Sequence, residues 1–288
     1  MDEHIDKYRS YLKSQNLNET TIKNHIGNIS NYLSDFKVER PYTDVGANID
    51  SKYDSLSRRK NMCSSVSKYI GFLESNNGMS FKAYKELIKP VHDYLKSAND
   101  AWQSHAEEKN RSIGQDPDLI QPKQILKYLK DLDKNDRHLD YVLLHLMWHY
   151  QCRNLDMVGA VVQHGATEVQ DGTFTDDNHN WFIIHNSGVR WIRNCYKTAK
   201  TYKQKVINIT SKVFKRNISK LEHVLKPNDN MHRVITNATA GIGGLTESKI
   251  AKIYMLHNSS PEQLKKMRAT RGTSVDTLVD NYNLSSVD

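Results

Sequence analysis

Apolar residues recur at helical spacing through most of the first hundred residues, and this periodicity constrains the fold more than any other feature of the chain. It predicts four amphipathic helices, near residues 5–12, 22–33, 62–73 and 84–102. Four helices of this kind can bury their apolar faces against one another in a small bundle. The sequence therefore predicts a helical domain over residues 1–110.

A charged stretch at residues 107–117 interrupts this periodicity and is predicted to be an interdomain linker. Two further helices are predicted at 123–132 and 139–150, and the second is apolar almost all round, which favours a central position in a core. One strong β pattern follows at 181–209, where turns separate three apolar runs of a meander. These elements predict a second domain over residues 117–288 and a mainly α fold with a small antiparallel β-sheet.

The composition favours a polyanionic partner. Lys and Arg number 41 against 33 Asp and Glu, giving a formal net charge of +8, so nucleic acid is expected before any membrane. A basic protein without such a partner is the alternative. Three widely spaced cysteines form neither a zinc pattern nor a disulfide framework, which favours an intracellular protein. The most apolar run, residues 142–148, is far shorter than the ~20 residues needed to cross a bilayer.

A basic cluster lies at the start of the third predicted helix. Arg58, Arg59 and Lys60 follow Ser57 there, where the first backbone amides of a helix also favour a phosphate. We expect these three side chains to contact DNA, with a solvated basic surface as the alternative.

Three short patterns in the second domain carry possible chemistry. Arg153 follows the apolar helix and precedes Asp156 by three residues, and its planar fork could hold two phosphate oxygens at once. Lys197 and Lys200 lie in the turn before the last predicted strand, and Tyr282 follows a short helix near the end of the chain. Taken singly, these features are more typical of a surface ion pair, a protected sheet edge and a packing tyrosine.

Taken together with the corner Gly272-Thr273-Ser274, these residues resemble the tyrosine recombinases, the family of site-specific recombinases and phage-type integrases. The resemblance implies a two-domain clamp around duplex DNA, with a core-binding helical domain and a catalytic domain. It implies that Tyr282 attacks a DNA phosphate, that Arg153 stabilises the transition state, and that Lys197, or else Lys200, protonates the leaving oxygen. The lysine-rich turn further resembles recombinases of large DNA viruses and mobile elements.

The same resemblance implies a protein without a cofactor or a metal, because the covalent link to tyrosine conserves the phosphodiester bond energy. The sequence agrees, since it has no Walker motif, no paired carboxylates for two-metal chemistry and no His-Glu-x-x-His. The resemblance also implies a homotetramer on DNA, with a monomer or weak oligomer in its absence.

The chain departs from the family pattern at two places. The helix expected to carry His-x-x-Arg contains Lys249 and Lys252 instead, and the arginine position falls on Ala251. A lysine keeps the charge but lacks the bidentate fork. Thr273 stands where the family has His or Trp, so a phosphate donor would survive there only as a hydroxyl. The alternatives are therefore a catalytically impaired DNA-binding protein of the same fold and, less favoured, an enzyme resembling type IB topoisomerases.

Overall fold

The computed structural model describes residues 2–36, 44–77, 81–164, 179–196, 199, 203–226, 229–258, 260–271 and 278. The chain divides into two compact units, Met1–Glu108 and Lys109–Asp288. Across those described ranges, no helix combines the length and the apolar character that crossing a bilayer requires.

Unit 1 is helical in its described part. Its helices are α1 (Asp2–Ser14), α2 (Glu19–Phe36), α3 (Val45–Lys52), α4 (Leu56–Asn77) and the greater part of α5 (Phe81–Gly114). The four helices predicted from periodicity are confirmed, and α3 is an additional one. Their apolar faces meet in one core, whose centre is formed by Leu12, Ile22, Ile49, Val66 and Val91.

The predicted linker is wrong in its conformation, because α5 continues through residues 107–114. Glutamate, lysine and arginine in this stretch are good helix formers, and no glycine or proline follows Pro90 until Gly114. Asn110 is buried, and Ile113 packs against the core of unit 2. The boundary between the two units therefore falls inside a helix.

Unit 2 combines helices with a sheet. Its described elements are α6 (Pro122–Lys134), α7 (His138–Tyr150), a 3-10 turn (Asn154–Asp156), β1 (Val161–Gln163), β2 (Trp181–His185), β3 (Gly188–Arg193), β4 (Lys205–Ile209), α8 (Lys212–Ile218), α9 (Met231–Ala238), a second 3-10 turn (Ala240–Ile242), α10 (Glu247–His257) and α11 (Pro261–Arg271). Eight successive residues of α7, from 141 to 148, are buried, which confirms its central position.

Among the described residues, the sheet has four strands in the order β1-β2-β3-β4. The predicted meander of β2, β3 and β4 is antiparallel as expected, with Trp191 paired to Phe182 on one side and Ile207 on the other. However, β1 pairs with β2 in parallel, so the sheet is mixed and the prediction of a purely antiparallel sheet is wrong. The first residue of β3 is Gly188. A Cβ at this position would lie 2.5 Å from the carbonyl oxygen of Ile209, so a larger residue would not fit there without a shift of the backbone.

Candidate functional site

Arg153 is held at the end of α7 by a compact turn. The helix stops at Gln151, whose φ of 49° lies in the left-handed region. Arg153 then precedes the 3-10 turn, and its backbone N–H donates to Asp156 Oδ2 over 2.8 Å. The predicted spacing of Arg153 and Asp156 therefore closes a turn that fixes the backbone at Arg153.

The carboxylate of Asp156 has a second partner, which the sequence did not predict. Arg193 Nη2, at the end of β3, lies 2.6 Å from Asp156 Oδ2, and both side chains are 0% exposed. The two groups meet as an ion pair without the alignment of a hydrogen bond. The guanidinium also lies 5.0 Å from the ring of Trp191 and 4.7 Å from that of Tyr196. A buried ion pair thus joins the Arg153 turn to the sheet.

Asn180, which is fully buried just before β2, reinforces this junction. Its Nδ2 donates to the carbonyl oxygens of Asp156 at 3.0 Å and Cys195 at 2.7 Å. Its Oδ1 accepts the backbone N–H groups of Asn194 and Cys195, both at 2.8 Å. The end of β3, where the lysine-rich connection begins, is therefore fixed against the turn that carries Arg153.

The end of α11 is bound by three cationic side chains, each on a different carbonyl. Lys205 Nζ donates to the carbonyl oxygen of Ala269, Arg193 Nη1 to that of Thr270 at 2.5 Å, and Arg153 Nη1 to that of Arg271 at 2.6 Å. The last carbonyls of a helix lack partners within the helix and carry partial negative charge. Cations from the turn, β3 and β4 thus converge on one helix terminus. We call these three side chains and that terminus the cation cluster.

A second layer of contacts ties α10 to the same place. Arg271, only 1% exposed, forms an ion pair with Glu247 at 2.8 Å and donates to the carbonyl oxygen of Gln151 at 3.0 Å. The other carboxylate oxygen of Glu247 accepts the backbone N–H of Asn154 at 3.0 Å. Glu247 therefore holds the start of α10 against both the Arg153 turn and the end of α11.

The cation cluster is electropositive, and its two arginines act on the third member, Lys205. Burial is the largest cause that lowers the pKa of Lys205, and the positive charges of Arg193 and Arg153 lower it further, while Asp156 acts in the opposite direction. The ammonium group lies 5.5 Å from the centre of the Tyr196 ring. A lysine with a lowered pKa gives up its proton more readily than an ordinary one.

The two predicted lysines of α10 have different surroundings. Thr246 caps the helix by accepting the backbone N–H of Lys249 at 3.2 Å. Burial lowers the pKa of Lys252, and the neighbouring charge that adds to this effect is Lys109 rather than a member of the cation cluster. Ala251, where the sequence pattern places an arginine, is 1% exposed and packs with Met255, Met267 and Leu278.

The basic residues predicted to bind DNA in unit 1 differ from one another. Arg59 forms an ion pair with Asp50 at 3.0 Å and donates to the Tyr53 carbonyl oxygen at 2.5 Å. Lys60 lies 4.2 Å from the ring centre of Trp102. Arg58 is exposed beside the ring of Tyr53, at 5.0 Å. Arg59 and Lys60 are thus engaged within unit 1, whereas Arg58 presents its guanidinium at the surface.

Four predicted site residues, Lys197, Lys200, Thr273 and Tyr282, lie outside the described residues. The described residues that adjoin them in the sequence are Tyr196, Ala199 and Lys203 at the lysine-rich connection, Arg271 directly before Gly272, and Leu278. Tyr196 donates its hydroxyl to the carbonyl oxygen of Lys203 at 2.5 Å.

Sequence reasoning missed Arg193, Lys205, Glu247 and Arg271. A usable signal existed for Arg193, because it lies two residues after Trp191 and so faces the same side of the strand. An arginine on a buried strand face requires a partner, and Asp156 is that partner. Lys205 and Arg271 stand at the end of an element, where periodicity carries little information.

Comparison with known proteins does not assign the chain to a family. No protein-family model matches the chain, and no curated protein matches it either. A structure search finds the crystal structure of XerA recombinase, with 11% sequence identity and a TM-score of 0.36, covering 99% of this chain and 94% of that one. A TM-score of 0.36 is too low to establish a shared fold.

Proposed function

We propose that this protein cleaves and rejoins duplex DNA through a covalent link to Tyr282, as tyrosine recombinases do. The observation that carries the proposal is the convergence of Arg153, Arg193 and Lys205 on the carbonyls of residues 269–271. These contacts bring together residues at or beside the three sequence patterns that carry the resemblance. Arg153 begins the first pattern. Arg193 and Lys205 lie on either side of the lysine-rich connection, and residue 271 directly precedes the Gly272 corner.

The cation cluster has the chemistry of a phosphate site. Guanidinium and ammonium groups donate to phosphate oxygens as they do here to carbonyl oxygens, and with a charged acceptor the bonds are stronger. Arg153 can offer its fork to two oxygens of one phosphodiester, and Lys205 lies close enough for Arg153 to lower its pKa. A phosphate would compete with the helix carbonyls for these donors, so DNA binding would release the end of α11.

In the proposed reaction, the Tyr282 oxygen forms a bond to phosphorus while the bond from phosphorus to the 5′ oxygen breaks. The phenol proton is lost to solvent, and a lysine donates a proton to the leaving oxygen. Lys197 is the proposed donor, with Lys200 and Lys205 as the alternatives. Arg153, a lysine of α10 (Lys249 or Lys252) and the Thr273 hydroxyl would stabilise the oxyanion. Attack by the free 5′ hydroxyl reverses these steps and rejoins the strand.

The two units would have separate roles in this proposal. Unit 1, with Arg58 at its surface, would bind the duplex as the core-binding domain, and unit 2 would carry the catalytic residues. The net charge of +8 favours a polyanionic partner, and the proposed reaction makes that partner double-stranded DNA inside the cell. Exchange of strands between two duplexes would need four copies of the chain, as in the family it resembles.

A second candidate is a DNA-binding protein that cleaves poorly. Ala251 favours it, because a methyl group buried with Met255 and Met267 cannot contact a phosphate. Loss of one preorganised oxyanion donor typically costs about 3–4 kcal/mol, or roughly a hundred- to a thousandfold in rate. The two candidates make different predictions for covalent chemistry and the same prediction for binding.

A nicked suicide duplex separates them, once a binding site has been selected from random duplexes. The proposal expects a covalent protein–DNA adduct from the wild type, none from Tyr282→Phe and at least a hundredfold less from Arg153→Ala. Arg233→Ala is a matched control, since Arg233 is an exposed arginine on α9 outside the cation cluster. Retention of DNA without an adduct would favour the second candidate, and relaxation of any supercoiled plasmid without site preference would favour the topoisomerase-like alternative.

A further inference from the structure

An open polar groove runs between α2 and α4 of unit 1. Thr21, Asn24, His25 and Asn28 line it from α2, at the i, i+3, i+4 and i+7 spacing of one helix face. On the other side, the groove is lined by the first half of α4, including Arg58 and Asn61. The groove encloses about 600 Å³. The apolar core of the unit is built from other residues of these two helices, so it does not account for the polar faces that meet here.

The groove offers hydrogen bonds rather than charge. Its lining side chains are hydroxyls, carboxamides, an imidazole and a guanidinium, and among these described residues Arg58 carries the one permanent charge. Binding to a phosphate backbone typically draws on several lysines and arginines, because release of counterions supplies the affinity. Carboxamides instead match base edges, since asparagine can form two hydrogen bonds at once with adenine N6 and N7.

Ser65 fixes the inner wall of the groove. This fully buried hydroxyl donates to the carbonyl oxygen of Asn61 at 2.9 Å, so its oxygen is left to accept. It accepts from Asn28 Nδ2 at 2.9 Å and lies 2.9 Å from His25 Nδ1, which must therefore be the protonated ring nitrogen. Burial lowers the pKa of His25, so the ring is neutral and its Nε2 is an acceptor.

The hydrogen bond to Ser65 holds the Asn28 carboxamide in one orientation and uses only one of its hydrogen-bonding groups. One N–H of its carboxamide is bound to Ser65, and the amide retains a second N–H and a carbonyl oxygen. Those two groups are the pair that adenine requires. Preorganised side chains lose less conformational freedom on binding, which sharpens discrimination between bases.

We propose that the α2–α4 groove reads base edges of duplex DNA and favours sites with A·T pairs, with Asn28 as a specificity-determining residue and Ser65 as the residue that positions it. The inference rests on the proposed function, since it takes double-stranded DNA as the partner. Arg58, at the rim, contributes affinity through phosphate without choosing the sequence.

The test uses the full-length protein and a pool of duplexes with a randomised central stretch. After selection, the quantity measured is the affinity for the selected duplex divided by that for a shuffled duplex of equal composition. The wild type should enrich adenine at fixed positions. Asn28→Ala should lower the ratio by roughly 5- to 150-fold, the discrimination of one good bidentate contact. Asn31→Ala, an exposed asparagine of α2 outside the groove, should leave the ratio unchanged.

Two further variants separate positioning from charge. Ser65→Ala should lower the same ratio while its affinity for the shuffled duplex stays within about twofold, an outcome that general unfolding cannot produce. Arg58→Ala should lower the affinity for the selected and the shuffled duplex by the same factor. It should also reduce the slope of log affinity against log salt by about one.

An unchanged ratio in Asn28→Ala, with duplex binding intact, would overturn the inference and leave the proposed function standing. Selection of a motif without adenine preference would do the same. Absence of duplex binding at any salt concentration would overturn both.

Discussion

Removing one partner of the buried pair of Asp156 and Arg193 should strongly destabilise unit 2. Arg193→Met removes the guanidinium and keeps much of its apolar bulk, leaving the Asp156 carboxylate at 0% exposure with the Arg153 backbone N–H as a remaining donor. Breaking a buried pair by removing one partner costs about 3–5 kcal/mol. For a unit of this size, each kcal/mol lowers Tm by about 2–4 °C, so a decrease of roughly 6–20 °C is expected.

Tryptophan fluorescence during urea and thermal unfolding can measure this change. Three of the four tryptophans, Trp148, Trp181 and Trp191, belong to unit 2, so the signal reports mainly on that unit. Arg190→Met is the matched control, since Arg190 is a partly exposed arginine on the same strand whose Nε donates to Asn208 at 3.4 Å. Its loss should cost less than about 1 kcal/mol.

A double-mutant cycle identifies the cause. Asp156→Leu with Arg193→Met should be less destabilised than the sum of the single variants by more than about 1 kcal/mol, because neither charge is then left alone. Additive effects, or a loss below about 1 kcal/mol in Arg193→Met, would refute the view that this ion pair joins the turn to the sheet.

Two further predictions concern other groups in unit 2. Burial first, and then the charge of His149, lowers the pKa of His145 to about 3, well below the value of about 6.5 expected in the unfolded chain. Only the unfolded chain binds this proton between those values, so stability should fall with decreasing pH by up to about 1.4 kcal/mol per unit. Urea unfolding in this range should show a slope that includes this contribution, and His145→Phe should reduce the slope by that amount; an equal slope in both proteins would disprove the assignment. Glu247→Gln should destabilise the unit by about 1–3 kcal/mol, because the buried Arg271 loses a charged acceptor, and thermal unfolding would reveal it.

Helical periodicity predicted the described helices of unit 1 well, because spacing alone decides which residues can share a core. It missed α3, whose eight residues bury Val45 and Ile49 and offer too short a pattern. It also misread residues 107–114, where a run of charge was taken for a break although those residues favour a helix. The parallel strand β1 was not predicted, because three residues are too few to show a periodicity and its partner strand lies about twenty positions away.

The candidate site was harder to predict than the fold, because its contacts join distant parts of the chain. Arg153 and Asp156 were found since both belong to one local turn. Arg193 and Lys205 were not, because their role depends on the end of α11, more than sixty residues further on. Sequence spacing does not predict which helix terminus the residues of a strand will contact.

The central claim is that Tyr282, and no other tyrosine, carries the DNA after cleavage. The chain has fifteen tyrosines, so the position of the link is informative. The selected suicide duplex is trapped on the protein, both are digested, and mass spectrometry locates the peptide that bears a nucleotide. We predict a 3′-linked nucleotide on the phenol of Tyr282. A nucleotide on a different tyrosine, or none on a protein that retains the duplex, would contradict the account.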